Sequence, residues 1–344
     1  MELTTTLRQQ YESQLNQLAQ SEGALSRARG QQKRQLQQQF NQQLKQLLDR
    51  ARRDSPSRLL YDFVLTVLYQ EAGLKNDNVA NALRTEWQRE IVRQQKRDTL
   101  AEQTQRWNVS GLFEEIVRPK PDLNLLPIGS WLLQFDFKLA RPYISRDDVA
   151  SYIIDNPVST DRVFGLPLIR PSSWKGNLRS ALRQTKNWID TQPELVRLFG
   201  NPKGAEEEFR AGRLECYPTF FYRVGLEIIN PHDRARKVGK NPILFECVPA
   251  GARGTFSLLY IPFDRIGQDE PETRRQAAED LQLVTEGLQA MFLTYGFSAK
   301  RSSGYGVAED EIIEGEVRTK SGAPHDLTGK KLSQLAQEVK DVSF

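Results

Sequence analysis

Apolar positions in the first hundred residues recur with the period of an α-helix. Leu3, Leu7, Tyr11, Leu15 and Leu18 fall three or four residues apart, as do Leu36, Phe40, Leu44, Leu47 and Ala51, which puts each set on one helix face. Gly23 and Gly30 predict a break between these two helices, and Asp54-Ser55-Pro56 predicts another. Two more helices are expected over 57–69 and 78–97. At Ser130 the period changes. Trp131, Leu133, Phe135, Phe137 and Leu139 alternate with Leu132, Gln134, Asp136 and Lys138, the pattern of a strand. A polar loop follows, then a helix opening near Pro171 and a short one over 193–200. Strand character runs over 216–229, interrupted at Pro218 and Gly225, and again over 243–248 and 255–263. The basic loop 230–237 lies between two of these strands and predicts a projecting β-hairpin. A long helix over 274–295 carries Leu281, Val284, Leu288, Met291 and Tyr295 on one face. A last strand near 311–317 and a short amphipathic helix around 332–339 close the chain. No internal repeat is evident.

The order strand, helix, strands, helix, strand is that of a ferredoxin-like, split βαβ fold, the layout shared with the RNA recognition motif. The fold class is therefore α+β. Residues 1–108 form a helical N-terminal extension and 109–344 a ferredoxin-like domain with hairpin and loop insertions. The Gln-rich part of the extension admits a low-complexity reading. Because its leucines keep period, helices that pack on the main domain or on a partner are expected, which makes the extension an interaction module.

Composition narrows the picture only slightly. Of 344 residues, 38% are hydrophobic and 27% charged, with a net charge of +4, ordinary for a soluble protein and permissive for nucleic acid. Cys216 and Cys247 stand outside any C-x-x-C pattern, so neither a zinc site nor a disulfide framework is expected, and a reducing cytoplasm fits. The longest greasy run, 59–69, is short and broken by Asp62. Neither a membrane span nor a signal peptide is predicted.

Candidate chemistry gathers between Asp155 and Leu182. Asp155-Asn156-Pro157-Val158 is a turn signal. After Pro171, Ser172 or Ser173 can cap a helix on which Lys175, Arg179 and Arg183 recur every four residues, with Lys186 near the same line. Leu178, Leu182, Thr185 and Ile189 make the neighbouring apolar stripe. A helix N-terminus flanked by hydroxyls and a row of cations suits a sugar-phosphate backbone. A second stretch, Gly296 to Gly306, combines Lys300, Arg301, Ser302 and Ser303 with Gly304 and Gly306. Its glycines permit positive φ and let N–H groups face an anion. It matches neither a Walker A loop nor G-x-G-x-x-G, and alone such a loop is more often a mere connection. Taken alone, Asp155 reads as a turn residue, and Asp161 as a turn cap or a partner of Arg162. His232 and His325 are the only histidines, and no Ser/His/Asp set can be assembled. Glu206-Glu207-Glu208 reads as a solvated acidic run.

These two stretches resemble the RAMP (repeat-associated mysterious protein) superfamily, specifically the backbone subunits of type III CRISPR effector complexes. The resemblance is carried by Asp155-Asn156-Pro157-Val158, Asp161-Arg162, Leu166-Pro167-Leu168-Ile169, Ser172-Ser173-Trp174-Lys175-Gly176 with Arg179, and the glycine-rich loop. Pro171 stands where the family usually has Gly. The resemblance spans roughly 130–317 and leaves the N-terminal helices outside. It implies a ferredoxin-like core on which RNA lies along helix starts, the glycine-rich loop and projecting hairpins. RNA contacts are then expected from Ser172, Ser173, Lys175, Arg179, Arg183, Lys300, Arg301, Ser302, Ser303, Gly304 and Gly306. Asp155 falls on the family's catalytic aspartate. That position implies a metal-dependent endoribonuclease in which the RNA's own 2′-hydroxyl attacks the adjacent phosphate, with Asp155 holding Mg²⁺ through water. The implied partners are a CRISPR guide RNA, a complementary target RNA, and the other backbone, large and small subunits of an antiviral complex. Two alternatives stay open: a non-catalytic RAMP subunit that binds or caps the guide-RNA filament, and a metal-independent RAMP endoribonuclease that processes precursor CRISPR RNA. The latter normally relies on a histidine acid/base.

Overall fold

A computed structural model describes residues 2–55, 58–94, 112–145, 153, 156–201, 211–230, 232–233, 238–239, 243–320 and 322–344. In chain order the helices are α1 (Glu2–Arg27), α2 (Gly30–Arg53), α3 (Arg58–Lys75), α4 (Asp77–Gln94), α5 (Leu112–Val117), α6 (Pro171–Lys186), α7 (Pro193–Phe199) and α8 (Glu270–Ala290), with a short turn of helix at Leu335–Glu338. The strands are β1 (Trp131–Lys138), β2 (Leu168–Ile169), β3 (Leu214–Cys216), β4 (Thr219–Phe220), β5 (Gly225–Ile229), β6 (His232–Asp233), β7 (Val238–Gly239), β8 (Ile243–Cys247), β9 (Arg253–Tyr260), β10 (Gly315–Thr319) and β11 (His325–Asp326). They assemble into two compact units, each discontinuous in sequence. One comprises 1–103, 146–165 and 224–246; the other comprises 104–145, 166–223 and 247–344.

The first unit is built on α1 to α4. The predicted stripes are its core: Tyr11, Leu15 and Leu18 of α1 and Phe40, Leu44, Leu47 and Ala51 of α2 are all buried in one cluster with side chains of α3 and α4. The glutamines between them lie mostly on the outer faces, so the Gln-rich stretch is an amphipathic helix pair. The break falls at Ala28-Arg29, and α1 runs through Gly23. Asp62, which interrupts the greasy run, is buried and accepts the Trp87 indole N–H at 3.2 Å. The unit departs from a simple N-terminal extension ending at 108. Its apolar core buries Ile153 and is flanked by Val224, Leu226 and Leu244 of the β5–β8 segment. An isolated two-stranded hairpin is marginal in water, and here β5 and β8, which pair with each other, rest on helices. The hairpin expected around 230–237 is thus present as β5–β8 continued by β6–β7. Residues 234–237 lie outside the described residues.

The second unit holds a five-stranded sheet in the order β11-β10-β1-β9-β3, whose pairings are antiparallel. Leaving out the two-residue β11, the order fourth-first-third-second is the ferredoxin-like arrangement expected from element order. Trp131, Leu133, Phe135 and Phe137 project to the face covered by α6 and α8, where Phe135 and Phe137 meet Phe292 and Phe137 meets Trp174. The opposite face is covered as well. Leu132 is buried with Leu123 and Leu259, and Gln134 donates to Ser257 Oγ at 2.7 Å. The long helix begins at Glu270, where Asp269 accepts the Glu272 N–H. It ends in a π-turn at Met291–Tyr295. Within it, fully buried Asp280 receives Arg197 in a two-pronged ion pair and the Tyr260 hydroxyl at 2.7 Å, tying α8 to α7 and to β9.

Helices α6 and α8 approach closely at Gly287, where an added Cβ would lie 2.6 Å from Leu182 Cγ and 3.0 Å from Leu178 Cδ1. Overpacking of this kind costs about 1–3 kcal/mol. Gly287→Val should therefore lower the urea midpoint with an unchanged slope. A midpoint equal to wild type would contradict the close approach.

Candidate nucleic-acid interface

The predicted basic helix starts at Pro171, with Arg170 at the cap position and no side-chain cap bond. Ser172 and Ser173 therefore sit inside the first turn and are not the cap. Pro fits there because its missing N–H is one the first turn leaves unpaired anyway. Trp174 is fully buried; Ser172 is exposed, and Ser173 and Lys175 are half-buried. The helical period thus splits the motif: the indole goes in, and the hydroxyl and ammonium groups stay near water. The Trp174 Nε1–H donates to Thr219 Oγ1 at 3.0 Å.

The cations of this helix are not equivalent. Arg179 and Arg183 both pair with Asp190, at 3.3 and 3.2 Å, and Lys186 pairs with Glu286 at 2.5 Å. Lys175 lies near Cys216: burial pushes the Cys216 thiol up to about 12, and the Lys175 ammonium pulls only partly against it. Asn177, one turn on from Ser173, donates to the Phe297 carbonyl oxygen at 3.3 Å.

That carbonyl belongs to the glycine-rich loop. Phe297 packs on Trp174 with ring centroids 4.8 Å apart, so helix and loop share one aromatic core. The loop is closed by Phe297 N–H to Gly306 O at 2.9 Å and tethered to the chain after β1 by Gly306 N–H to Pro142 O and Ala299 N–H to Ile144 O, both at 2.8 Å. Ser298 Oγ both accepts from Ile144 N–H and donates to Ile144 O. Gly306 has φ of +66°, and a Cβ there would meet Ser298 Cβ at 2.2 Å. No other residue fits. Lys300 takes a left-handed conformation, φ +57°, and introduces a 3-10 turn, Arg301–Ser303. Lys300, Ser302, Ser303 and Gly304 are exposed, and Arg301 Nη1 is buried without a hydrogen-bond partner. The structure therefore brings Lys175 and the cations of the loop onto one scaffold.

Asp155 and Glu206-Glu207-Glu208 lie outside the described residues. The chain on either side of Asp155 is held within the first unit. Ile153 is fully buried in the helical core. The Asn156 carbonyl accepts the Glu246 N–H at 3.0 Å, and buried Glu246 accepts the Val158 N–H through Oε2 at 3.1 Å. Asp161 caps its own turn, accepting the Val163 and Phe164 N–H groups at 2.8 Å, in keeping with its turn-cap pattern. Glu246, Asn177 and Ser298 are positioning residues that the sequence pattern does not single out. An acid within an apolar strand is the one available signal for Glu246. Among the described residues no group of three His, Cys, Asp or Glu side chains is placed to hold a metal ion. No helix among them is long and apolar enough to cross a membrane.

The sequence profile of the RAMP superfamily matches residues 136–309. The "CRISPR system Cms endoribonuclease Csm3" of Streptococcus thermophilus is 28% identical over 171 residues, covering 47% of this chain and 76% of that protein. The protein of the same name from Enterococcus italicus is 33% identical over 127 residues, covering 31% of this chain and 58% of its own length. Among solved structures, a chain of a type III-B Cmr-beta complex bound to cognate target RNA aligns at a TM-score of 0.49 and 17% identity, over 75% of this chain and 91% of that one. A chain of a CRISPR RNA-guided surveillance complex aligns at 0.39 and 16%, over 56% and 71%.

The raised Cys216 thiol yields a check on the packing beneath Lys175. At pH 8 it should hold roughly three orders of magnitude less thiolate than a free cysteine. Iodoacetamide should therefore leave Cys216 unmodified in the native chain and label it in urea, as read by peptide mass spectrometry. Labelling of native Cys216 at the rate of a free thiol would show that the strand beneath Lys175 is open.

Proposed function

Because the chain belongs to the RAMP superfamily, we propose that it is a backbone subunit of a type III CRISPR interference complex, binding guide RNA and cutting target RNA paired to it. The observation that carries the RNA-binding part is the junction of Trp174 and Asn177 with Phe297. It joins two cation-bearing segments, far apart in sequence, into one surface of exposed hydroxyls, glycines and positive charge. Such a surface addresses phosphates, which carry no base information. Lys175, Lys300 and Arg301 are its main contributors. Arg179 and Arg183 share Asp190 and contribute less while that pairing holds. The partners on this reading are guide RNA, complementary target RNA and the other subunits of the complex.

For cleavage, the substrate supplies both nucleophile and leaving group: the 2′-hydroxyl attacks the neighbouring phosphate once the two are in line. The duplex must be interrupted first, since a regular A-form helix holds them out of line, and the β5–β8 hairpin, continued by β6 and β7, is suited to that wedge. Asp155 then orients the hydroxyl or accepts its proton. On this reading Asp155 holds the cation through water, and Mg²⁺ is commonly held by one or two carboxylates together with substrate phosphate. Bound there, such a cation would stabilise charge developing on the phosphate. The filament-capping, non-catalytic reading differs only in Asp155 being idle. The precursor-processing reading is disfavoured by the scarcity of histidine, two in the chain.

Two outcomes test these assignments. Neutralising Lys175, Arg179, Lys300 and Arg301 together should weaken binding to unrelated guide sequences alike. It should also flatten the salt dependence by about 0.7 log–log units for each phosphate that is no longer neutralised. Altered discrimination between guides at an unchanged slope would refute backbone recognition. Asp155→Ala in the assembled complex, given end-labelled complementary RNA and Mg²⁺, should abolish one cleavage band, leave bands made by other subunits, and leave target affinity unchanged. An unaltered ladder would make this a binding subunit only.

A further inference from the structure

At the other end of β1 from the glycine-rich loop, the second unit contains a cavity of about 360 Å³ that the RNA-binding surface described above does not include. Its walls come from the segment ahead of β1 and from the end of β10 with the turn beyond, and include Lys120, Asp122, Asn124, Arg318, Lys320 and Gly322. Three of these are cations and one is an acid, and the acid faces its own chain: Asp122 Oδ1 accepts the Asn124 N–H at 2.9 Å. Lys320 Nζ donates to the Leu126 carbonyl at 2.9 Å, which fixes the ammonium and leaves two protons uncommitted. Lys120 is exposed. Arg318 is the most informative. Its Nε lies 3.2 Å from Glu316, yet its Nη2 is buried with no hydrogen-bond partner. A buried N–H left unpaired costs about 1–3 kcal/mol, a cost that an anion accepting from it would remove. The lining is polar, with no aromatic ring on which a base could stack.

We propose that this cavity binds a phosphate of an RNA backbone, as a site separate from the α6 and glycine-rich-loop surface. Separation follows from the register. The cavity residue Thr319 pairs with Trp131 at the start of β1, whereas the loop is tethered at Pro142 beyond its end. Eight strand residues at about 3.3 Å each put the two sites roughly 25 Å apart. RNA reaching both must run the length of the sheet, about seven nucleotides at the axial spacing of a duplex strand. The assignment rests on the reading of this chain as an RNA-binding subunit.

The test uses the full chain and two probes, a long single-stranded RNA and inorganic phosphate. The combined Lys120→Gln, Arg318→Gln and Lys320→Gln variant should flatten the log–log salt dependence of RNA binding by about 0.7 units. It should also lose the phosphate-induced shifts of backbone amides in 318–320 seen by NMR in wild type. Lys120→Glu, at an exposed position, should preserve the fold and weaken both, which covers the event that the triple variant unfolds. An unchanged slope in these variants, with RNA bound normally by wild type, overturns the cavity assignment alone. Absence of any RNA binding by wild type overturns the RNA-binding reading itself, and phosphate shifts persisting in that case would identify a site for a free anion rather than RNA.

Discussion

Burial of Trp174 is the constraint from which the basic surface follows. The indole is fully enclosed, hydrogen-bonded to Thr219, and packed against Phe137 and Phe256 of the sheet, Phe292 at the end of α8, and Phe297 of the glycine-rich loop. Aromatic pairs of this kind contribute about 0.5–1.5 kcal/mol each beyond the area they bury. Their more important effect is geometric. One side chain sets the roll of α6, so Ser172 and Lys175 emerge near solvent, and it sets the height at which the loop crosses the helix start. The loop adds its own constraints through Gly306 and Ser298, which are too close for any side chain at 306. Lys300 and Arg301 are thereby carried on a closed turn, which on the proposed reading leaves little reordering for meeting a phosphate.

A comparable logic governs the aspartate loop. Its anchors are Ile153 in the helical core and Glu246 against the Val158 N–H. Both lie in the first unit, where the N-terminal helices pack on Ile153 and on Val224, Leu226 and Leu244 of the β5–β8 segment. In-line attack demands a narrow geometry, and a reaction lacking it can lose a hundredfold for displacements of about 1 Å. On the proposed cleavage reading, buried Ile153 and the Val158 N–H held by Glu246 are fixed points on either side of the aspartate.

Charge is distributed just as sparingly. A net charge of +4 is small, and several cations that look available along α6 are engaged: Arg179 and Arg183 by Asp190, and Lys186 by Glu286. Partly exposed pairs of this sort are worth about 0–1 kcal/mol, so on the proposed reading a phosphate competes with them at modest cost. Their effect is to hold the guanidinium groups in place on one helix face without collapsing them onto the protein.

Local pattern was enough for much of this protein. The leucine period of α1 and α2, the alternation in β1, and the element order that leads to a ferredoxin-like sheet all depend on neighbours in sequence, and each was legible there. So were the turn capped by Asp161, the cation-bearing helix after Pro171 and the glycines at positive φ, because these follow from rules that act within a few residues. What only the tertiary structure decided depends on partners far along the chain. Gly306 is required because Ser298 lies beneath it. Trp174 is a core residue because Phe297 reaches it from 123 positions away. Arg179 is paired because α6 is followed by a turn that returns Asp190. The division of the chain into units follows the same rule: 146–165 and 224–246 join the helices because a lone hairpin and loop cannot bury enough apolar surface of their own. Binary patterning records which positions are buried, and long-range packing decides against what.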